Sequence, residues 1–246
     1  MKDVAPASGS DKTPARIAGM FDAIAPRYDL LNRLLSAGFD ARWRTRAIRT
    51  LGLSGTETLL DVCSGTGDVA IAAASAARGA RRAVGVDFAG EMLKLGRQKL
   101  PRRGLAARVA FAQGDATALP VASASFDAAT VAFGIRNVQQ PGAAFAEVFR
   151  ALRAGGRFAI LEFGTPRLPV IRPLYLWYFR HVLPRIGRAL SGHASAYAYL
   201  PESVERFPAP ADVVASLELV GFRDVRADPL TFGVVYLYSA QKPPVR

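Results

Sequence analysis

Residues 59–70 read LLDVCSGTGDVA: an apolar run, a turn carrying Gly65 and Gly67, then a carboxylate, Asp68, where a helix should begin. A glycine turn between strand and helix lets backbone approach a ligand closely and offers it unpaired N–H groups, the usual setting for a nucleotide phosphate. Gly65, Gly67 and Ala70 satisfy the G-x-G-x-x-G/A pattern, and Asp87 follows Gly67 by 20 residues, so a nicotinamide-dependent oxidoreductase is one reading. Asp68 argues against it, because a carboxylate in the first helical turn repels an anionic pyrophosphate where water is excluded. S-adenosylmethionine has no phosphate, and its sulfonium and ammonium tolerate or attract a carboxylate there. The plain structural reading of Asp68 is a helix-start residue favoured by the macrodipole.

Two further acids fit the same ligand. Asp87 closes the second apolar run, where an acid accepts hydrogen bonds from ribose hydroxyls. Asp115 and Ala116 follow the third run and are placed to flank an adenine, Asp115 accepting from the exocyclic amine and the next backbone N–H meeting a ring nitrogen. The alternative for Asp115 is an Asx turn in the sequence GDAT.

These residues need a scaffold that brings them together. Residues 58–65, 81–88, 107–116, 126–134 and 157–164 read as short apolar strands, with helical segments between the first three and over 141–156 after the fourth. Alternating strands and helices predict a parallel sheet covered on both faces. Ligands of such sheets collect beyond the carboxyl ends of the strands near the switch point, so Gly65, Asp87, Asp115 and Gly134 should share one crevice. Residues 211–222 read as a helix, and 223–230 with 231–241 as an antiparallel hairpin. The expected fold is α/β, a Rossmann-like class I S-adenosylmethionine-dependent methyltransferase sheet, mostly parallel with a C-terminal antiparallel hairpin. Residues 1–15 read as a flexible tail and 16–246 as a single methyltransferase domain, in which 16–53 form a helical cap and 165–210 an inserted segment covering the substrate.

The chain of 246 residues, half of them apolar, is long enough for one large domain with a well-buried core. Its single cysteine, Cys63, excludes an intrachain disulfide and a cysteine zinc site, and points to a reducing, cytoplasmic setting. No residues identify a metal site. No stretch has the apolar core of a signal peptide or the roughly 18 apolar residues of a membrane span. The net charge of +12, carried by 5 lysines and 27 arginines, suits an anionic partner such as the inner face of a membrane, or reflects composition alone. No basic module or base-stacking motif is visible, so nucleic acid is not an expected partner. No feature specifies an oligomeric state.

Six stretches carry a family resemblance: YDLLNRLLSAGFDARWR (28–44), DVCSGTGD (61–68), FGIRNV (133–138), LRAGGRFAILEFGTP (152–166), HVLPRIG (181–187) and YAYLPESVERFP (197–208). In this order they resemble the quinone-biosynthesis C-methyltransferases of the UbiE/MenG family, over roughly residues 16–242. The family methylates demethylmenaquinol, and in some organisms a ubiquinone precursor, with S-adenosylmethionine as donor. The resemblance implies that Thr66, Asp87, Asp115 and Ala116 contact this cofactor, with Gly65 and Gly67 shaping the turn. Departures fall in the first stretch, where Leu31, Arg33 and Asp40-Ala41 replace the usual residues, and at Ala154, where a proline usually precedes Gly155-Gly156.

A polyprenylated quinol becomes nucleophilic at carbon once a ring hydroxyl is deprotonated, so the protein must align it, stabilise the phenolate and remove a proton. Arg136, just past the fourth strand, is the expected phenolate stabiliser, with Asn137 beside it; a structural salt bridge is the alternative for Arg136. Both histidines, His181 and His193, fall in the 165–210 segment, and His181 is a candidate base. Residues 174–190 mix Leu, Trp, Tyr and Phe with arginines, the composition of a segment at a membrane surface or of a packed lid.

Overall fold

The first helix, α1 (Pro14–Leu35), is followed across a three-residue turn by α2 (Phe39–Thr50). Ala37 and Gly38 in that turn have φ of +49° and +77°, which breaks what the sequence offers as one helical run. The chain then alternates: β1 (Thr58–Val62), α3 (Asp68–Ser75), β2 (Arg82–Asp87), α4 (Gly90–Lys99), β3 (Val109–Gln113), β4 (Phe126–Ala132), α5 (Pro141–Ala151) and β5 (Leu152–Phe163). After α6 (Ile171–Trp177) and a π-helical turn, Tyr178–Val182, come α7 (Ala194–Glu205), α8 (Pro210–Val220), β6 (Arg223–Leu230) and β7 (Val235–Gln241). This computed structural model describes residues 13–166, 168–182, 185 and 194–245. The expected tail over 1–15 lies outside the described residues up to residue 12, and Pro14 already opens α1.

The strands form one seven-stranded sheet of order β3-β2-β1-β4-β5-β7-β6. The first five are parallel, and β7 enters antiparallel between β5 and β6, so the expected hairpin stands at the sheet edge. Leu59, Leu60 and Val62 of β1 are all fully buried, as a central parallel strand covered on both faces requires. One face packs Phe158 against Phe145 and Val148 of α5, Leu217 of α8 and Phe222. The other packs Leu59 and Leu161 against Trp43 and Ile48 of α2 and Val69 and Ala73 of α3. A smaller cluster joins Ile24 and Leu31 of α1, Met92 of α4, Tyr175 of α6 and Val204 of α7. It ties the elements around the crevice to one another.

β5 begins five residues earlier than the sequence suggests. Leu152 pairs with Phe126, and the register jumps to Arg157 opposite Ala128, so residues 153–156 form a bulge. Gly155, with φ +76°, serves that bulge and does not end a helix, because α5 has already stopped at Ala151.

Asp61 ties three elements together from inside the sheet. Its Oδ1 accepts from the Thr130 hydroxyl of β4 at 2.8 Å and its Oδ2 from the Ala70 N–H of α3 at 3.1 Å. Burial pushes this carboxyl up to about 7, against the pull of both hydrogen bonds. In the unfolded chain it ionises near 4, so the native state holds an extra proton between those values. Its contribution to stability is therefore complete below about pH 4 and is lost as pH rises through about 7. Asp61→Asn keeps an acceptor for Ala70 and a donor for the Thr130 oxygen, whereas Asp61→Ala strands both partners, a loss of about 1–3 kcal/mol. Urea unfolding between pH 4 and 7 should show wild type losing stability relative to Asp61→Asn; parallel curves would place the linkage elsewhere.

Candidate active site

The switch between β1 and β4 sets the site. Cys63 and Phe133, the residues immediately beyond those strands, have φ of +54° and +58°, sparsely populated conformations for residues with a side chain. A Cβ on Gly134 would lie 2.3 Å from that of Cys63, so only glycine lets the two strand ends approach this closely. The chain after β1 turns to one side and the chain after β4 to the other. A crevice opens between them.

Gly65 and Asp87 meet there as expected: Asp87 Oδ2 accepts the Gly65 N–H at 2.8 Å and Oδ1 the Ala89 N–H at 2.9 Å. Each oxygen has a further lone pair for a ligand hydroxyl. Burial raises the Asp87 carboxyl, and the N–H groups of Ala89 and Gly65 pull it back. Gly67 has φ +76°, and a Cβ there would stand 2.2 Å from the Phe111 ring, so the turn lies flat on β3's side chain. Beside Asp87 a slot of about 140 Å³ is lined by Phe88, Asp115, Ala116, Asn137 and Val138 among others, with an acid and no basic residue. Asp115 Oδ1 accepts the N–H and hydroxyl of Thr117, both at 2.8 Å, so the Asx turn is real and Oδ2 remains for a donor. Asn137 Oδ1 is buried with no partner among the described residues. A slot with amide and carboxylate acceptors and no cation suits an aminopurine and offers a phosphate nothing. These residues fit the nucleoside of S-adenosylmethionine.

Thr66 and Asp68 are used differently from expectation. The Thr66 hydroxyl donates to Asp29 at 2.6 Å and accepts from Lys99 at 2.8 Å, so it is committed inside the protein and any cofactor contact falls to its backbone. Asp68 pairs with Lys99 at 2.8 Å and with Arg44 at 3.3 Å. With its charge shared between two cations, Asp68 braces α1, α2 and α4 around the turn and does not select the ligand's charge. Of the residues that complete this network, Asp29 and Arg44 lie in the 28–44 stretch that carries the family resemblance, without a role assigned there, and Lys99 lies in none of the six stretches.

A second cavity of about 500 Å³ adjoins the turn, with walls that include Phe21, Tyr28, Trp43, Phe133, Phe163 and Tyr199. Tyr28 joins the glycine turn to the chamber: a Cβ on Gly65 would be 3.9 Å from its ring, and it also lines the chamber. Burial raises its hydroxyl pKa, so it is neutral. Arg136 lines the chamber and is itself buried. Its Nη1 pairs with Glu162 at 2.8 Å and also donates to the Phe133 carbonyl, while Nε donates to Ser203 at 3.3 Å. Glu162, fully buried, also accepts the Arg136 backbone N–H at 3.2 Å. The salt-bridge and functional readings of Arg136 are thus compatible, because the pair leaves Nη2 without a partner among the described residues.

Two expected chamber residues are elsewhere. Asn137, expected to help hold the phenolate, lines the nucleoside slot. His181 is exposed, stacked on Trp177 with centroids 5.9 Å apart and Nδ1 3.1 Å from the Trp177 carbonyl oxygen, and it is not among the chamber walls. It belongs to the π-helical turn, and its exposed ring stands outside the chamber. His193 lies outside the described residues, as do residues 183, 184 and 186–190 of the 174–190 segment.

A switch-point crevice with a glycine turn after β1, acids after β2 and β3, and an antiparallel β7 defines the class I methyltransferase fold. Similar solved structures include a Haemonchus contortus phosphoethanolamine N-methyltransferase 2 in complex with S-adenosyl-L-methionine (TM-score 0.61, 18% identity, 81% of this chain and 52% of that one). The [4+2]-cyclase SpnF shares the fold as well (TM-score 0.64, 19% identity, 95% and 98%). At the level of sequence, the ubiE/COQ5 methyltransferase family matches residues 9–242, and the chain belongs to that family. A Syntrophotalea carbinolica protein named ubiquinone/menaquinone biosynthesis C-methyltransferase UbiE is 49% identical over 97% of this chain and 96% of its own length. A Thermus thermophilus demethylmenaquinone methyltransferase is 46% identical over 91% of this chain and all of its own.

Asp87→Ala removes the acceptor placed for ligand hydroxyls and a brace of the Gly65 turn. Titration calorimetry should show S-adenosylmethionine binding weakened by about 1–3 kcal/mol; unchanged affinity would remove Asp87 from the cofactor site.

Proposed function

We propose that this methyltransferase transfers the methyl group of S-adenosylmethionine to a ring carbon of a polyprenylated quinol, with demethylmenaquinol the favoured acceptor. The observation that carries this reading is an aromatic-walled chamber that adjoins the glycine turn beside Tyr28 and holds one buried arginine. A planar, apolar ring with two oxygens fits aromatic walls, and the arginine suits an oxygen that becomes anionic. The names of the family relatives agree with it. Residues 16–246 act in this reading as one domain, with 165–210 covering the chamber through Tyr175, Tyr178 and Tyr199. Among the described residues no helix is long and apolar enough to cross a membrane; in this reading the apolar prenyl chain is met by peripheral association with a bilayer.

Bound in the crevice, S-adenosylmethionine supplies an electrophilic methyl group. Asp87 holds the ribose hydroxyls, Asp115 and the Ala116 backbone hold the adenine, and Gly65, Thr66 and Gly67 offer backbone to the rest of the molecule. Tyr28 and the aromatic walls keep water from the reacting carbon and hold the ring against the turn. Arg136 Nη2 donates to the ring hydroxyl and favours its ionisation, which places electron density on the adjacent carbon. Glu162 and Ser203 fix the guanidinium so that its donor is aligned before the charge develops. After transfer the ring C–H proton is lost to solvent, which restores aromaticity, and the phenolate oxygen takes a proton back, so that of the two protons lost one is released net. A histidine base is not needed if the hydroxyl proton leaves through the chamber mouth.

An oxidised quinone has no hydroxyl to ionise and an electron-poor ring, so turnover requires the quinol. Anaerobic single-turnover assays should show transfer with dithionite-reduced acceptor and none with the quinone; equal rates would end this mechanism. Arg136→Ala strands Glu162, a cost of roughly 3–5 kcal/mol in fold stability. Arg136→Lys keeps the charge and removes the second prong, and should slow the chemical step by roughly 100-fold or more while cofactor affinity holds.

A further inference from the structure

The protein leaves large apolar side chains uncovered in several places, among them Val170 and Leu219, and one group of them lies at the chamber mouth. Leu34 and Phe39 line the cavity and are 52% and 39% exposed; Leu30, one turn back on α1, is 56% exposed and Phe232 is 66% exposed. Phe232 sits in a turn where Thr231, Phe232 and Gly233 have φ of +46°, +60° and +85°. Left-handed backbone is disfavoured for residues with a Cβ, and here two stand in succession. The Trp43 indole N–H, donated to Thr231 Oγ1 at 2.9 Å, pins this turn to α2. Phe39, one helical turn before Trp43, stacks on the indole with centroids 6.1 Å apart. The strained turn leaves the phenyl ring mostly exposed, with its covered part lining a groove beside Leu168, Val214 and Tyr236.

On the α1 and α2 side of this rim the exposed charge has one sign, whereas β6 carries exposed Asp224 and Asp228 among Arg223 and Arg226. From residue 27 to the end of α2 the exposed charged residues are Arg27, Arg33, Arg42, Arg46 and Arg49. Asp29 is tied to Lys99, and Asp40 is buried against Arg44. The Arg42 guanidinium lies over the Phe39 ring, 5.4 Å from its centroid. Apolar side chains interleaved with arginines match an anionic bilayer, whose acyl boundary takes the rings while the phosphates meet the guanidinium groups.

We propose that the rim formed by Leu30, Leu34, Phe39 and Phe232 is the face by which the protein docks on an anionic lipid bilayer, with the chamber mouth turned toward the lipid. This rests on the reading of the chamber as the site of a prenylated ring, and it gives the prenyl chain a path that does not cross water. It puts the membrane contact on α1, α2 and the β6–β7 turn, and not on 174–190, which the sequence offered as a membrane-surface segment or a packed lid. Leu174 and Trp177 on α6 are also exposed, at 66% and 55%, and are the rival face.

The test is co-sedimentation with vesicles of phosphatidylglycerol and phosphatidylcholine, read without substrate. Wild type should bind at low salt and weaken as salt rises, since charge is screened over about 10 Å at 0.1 M. A Leu30→Ser, Phe232→Ser double variant, in which neither residue lines the chamber, should partition roughly 100-fold less, the effect of losing two lipid-buried apolar side chains. A Leu174→Ser, Trp177→Ser variant should bind like wild type. Turnover of a short-chain, water-dispersed quinol should be equal in wild type and the rim variant. Undiminished binding by the rim variant, no binding by wild type, or loss of binding only on changing Leu174 and Trp177 would overturn the docking face. Failure of wild type to methylate the short-chain quinol would instead count against the chamber reading, because vesicle binding is measured independently of it.

Discussion

The contact of Cys63 with Gly134 decides where everything else goes. Parallel strands on either side of the switch send their connections to opposite faces, and here the two strand ends still touch, with a left-handed residue beyond each strand. One connection becomes the glycine turn and α3; the other becomes the short helical turn that carries Arg136. The cofactor and acceptor compartments therefore begin within a few residues of the same point, which is the requirement for a direct transfer between two bound molecules. The fold alone does not settle the reaction, since the cyclase SpnF shares it. What distinguishes this chain is the content of the second compartment.

Charge is handled in both compartments by fixing it before a ligand arrives. Asp87 is held by two backbone N–H groups, Asp68 by Lys99 and Arg44, and Arg136 by Glu162. A buried ion pair contributes little net stability, since desolvation offsets attraction. Its value here is positional: Glu162 accepts from both the backbone and the side chain of Arg136, so the guanidinium has one orientation. The network of Asp29, Thr66, Lys99, Asp68 and Arg44 does the same for the turn, binding α1 and α2 to the start of α3.

Much of this was legible in the sequence because it rests on local patterns. The apolar runs that became β1 to β4, the hairpin of β6 and β7, and the acids at 87 and 115 are all set by residues close in the chain. What could not be read depends on partners far apart. Asp68 looked like a ligand selector because Lys99 and Arg44, 31 and 24 residues away, were not known to reach it. His181 looked like a base because its segment covers the chamber, but a single π-helical turn decides which way the ring points. Asn137 and Arg136 are adjacent, and the short helical turn sends one to the nucleoside slot and the other to the chamber. The early start of β5 was hidden because a bulge containing two glycines resembles a helix terminator.

The joining of two compartments at one switch point is tested most directly by a crystal structure of the protein with S-adenosylhomocysteine and a short-chain naphthoquinol. The adenine should lie in the slot between Phe88 and Ala116, the ribose on Asp87, and the quinol ring in the aromatic chamber with an oxygen on Arg136. The acceptor carbon should then face the sulfur beside Tyr28, at a separation that leaves room for one methyl group. A quinol ring bound outside the chamber, or an adenine away from Asp115, would contradict this arrangement.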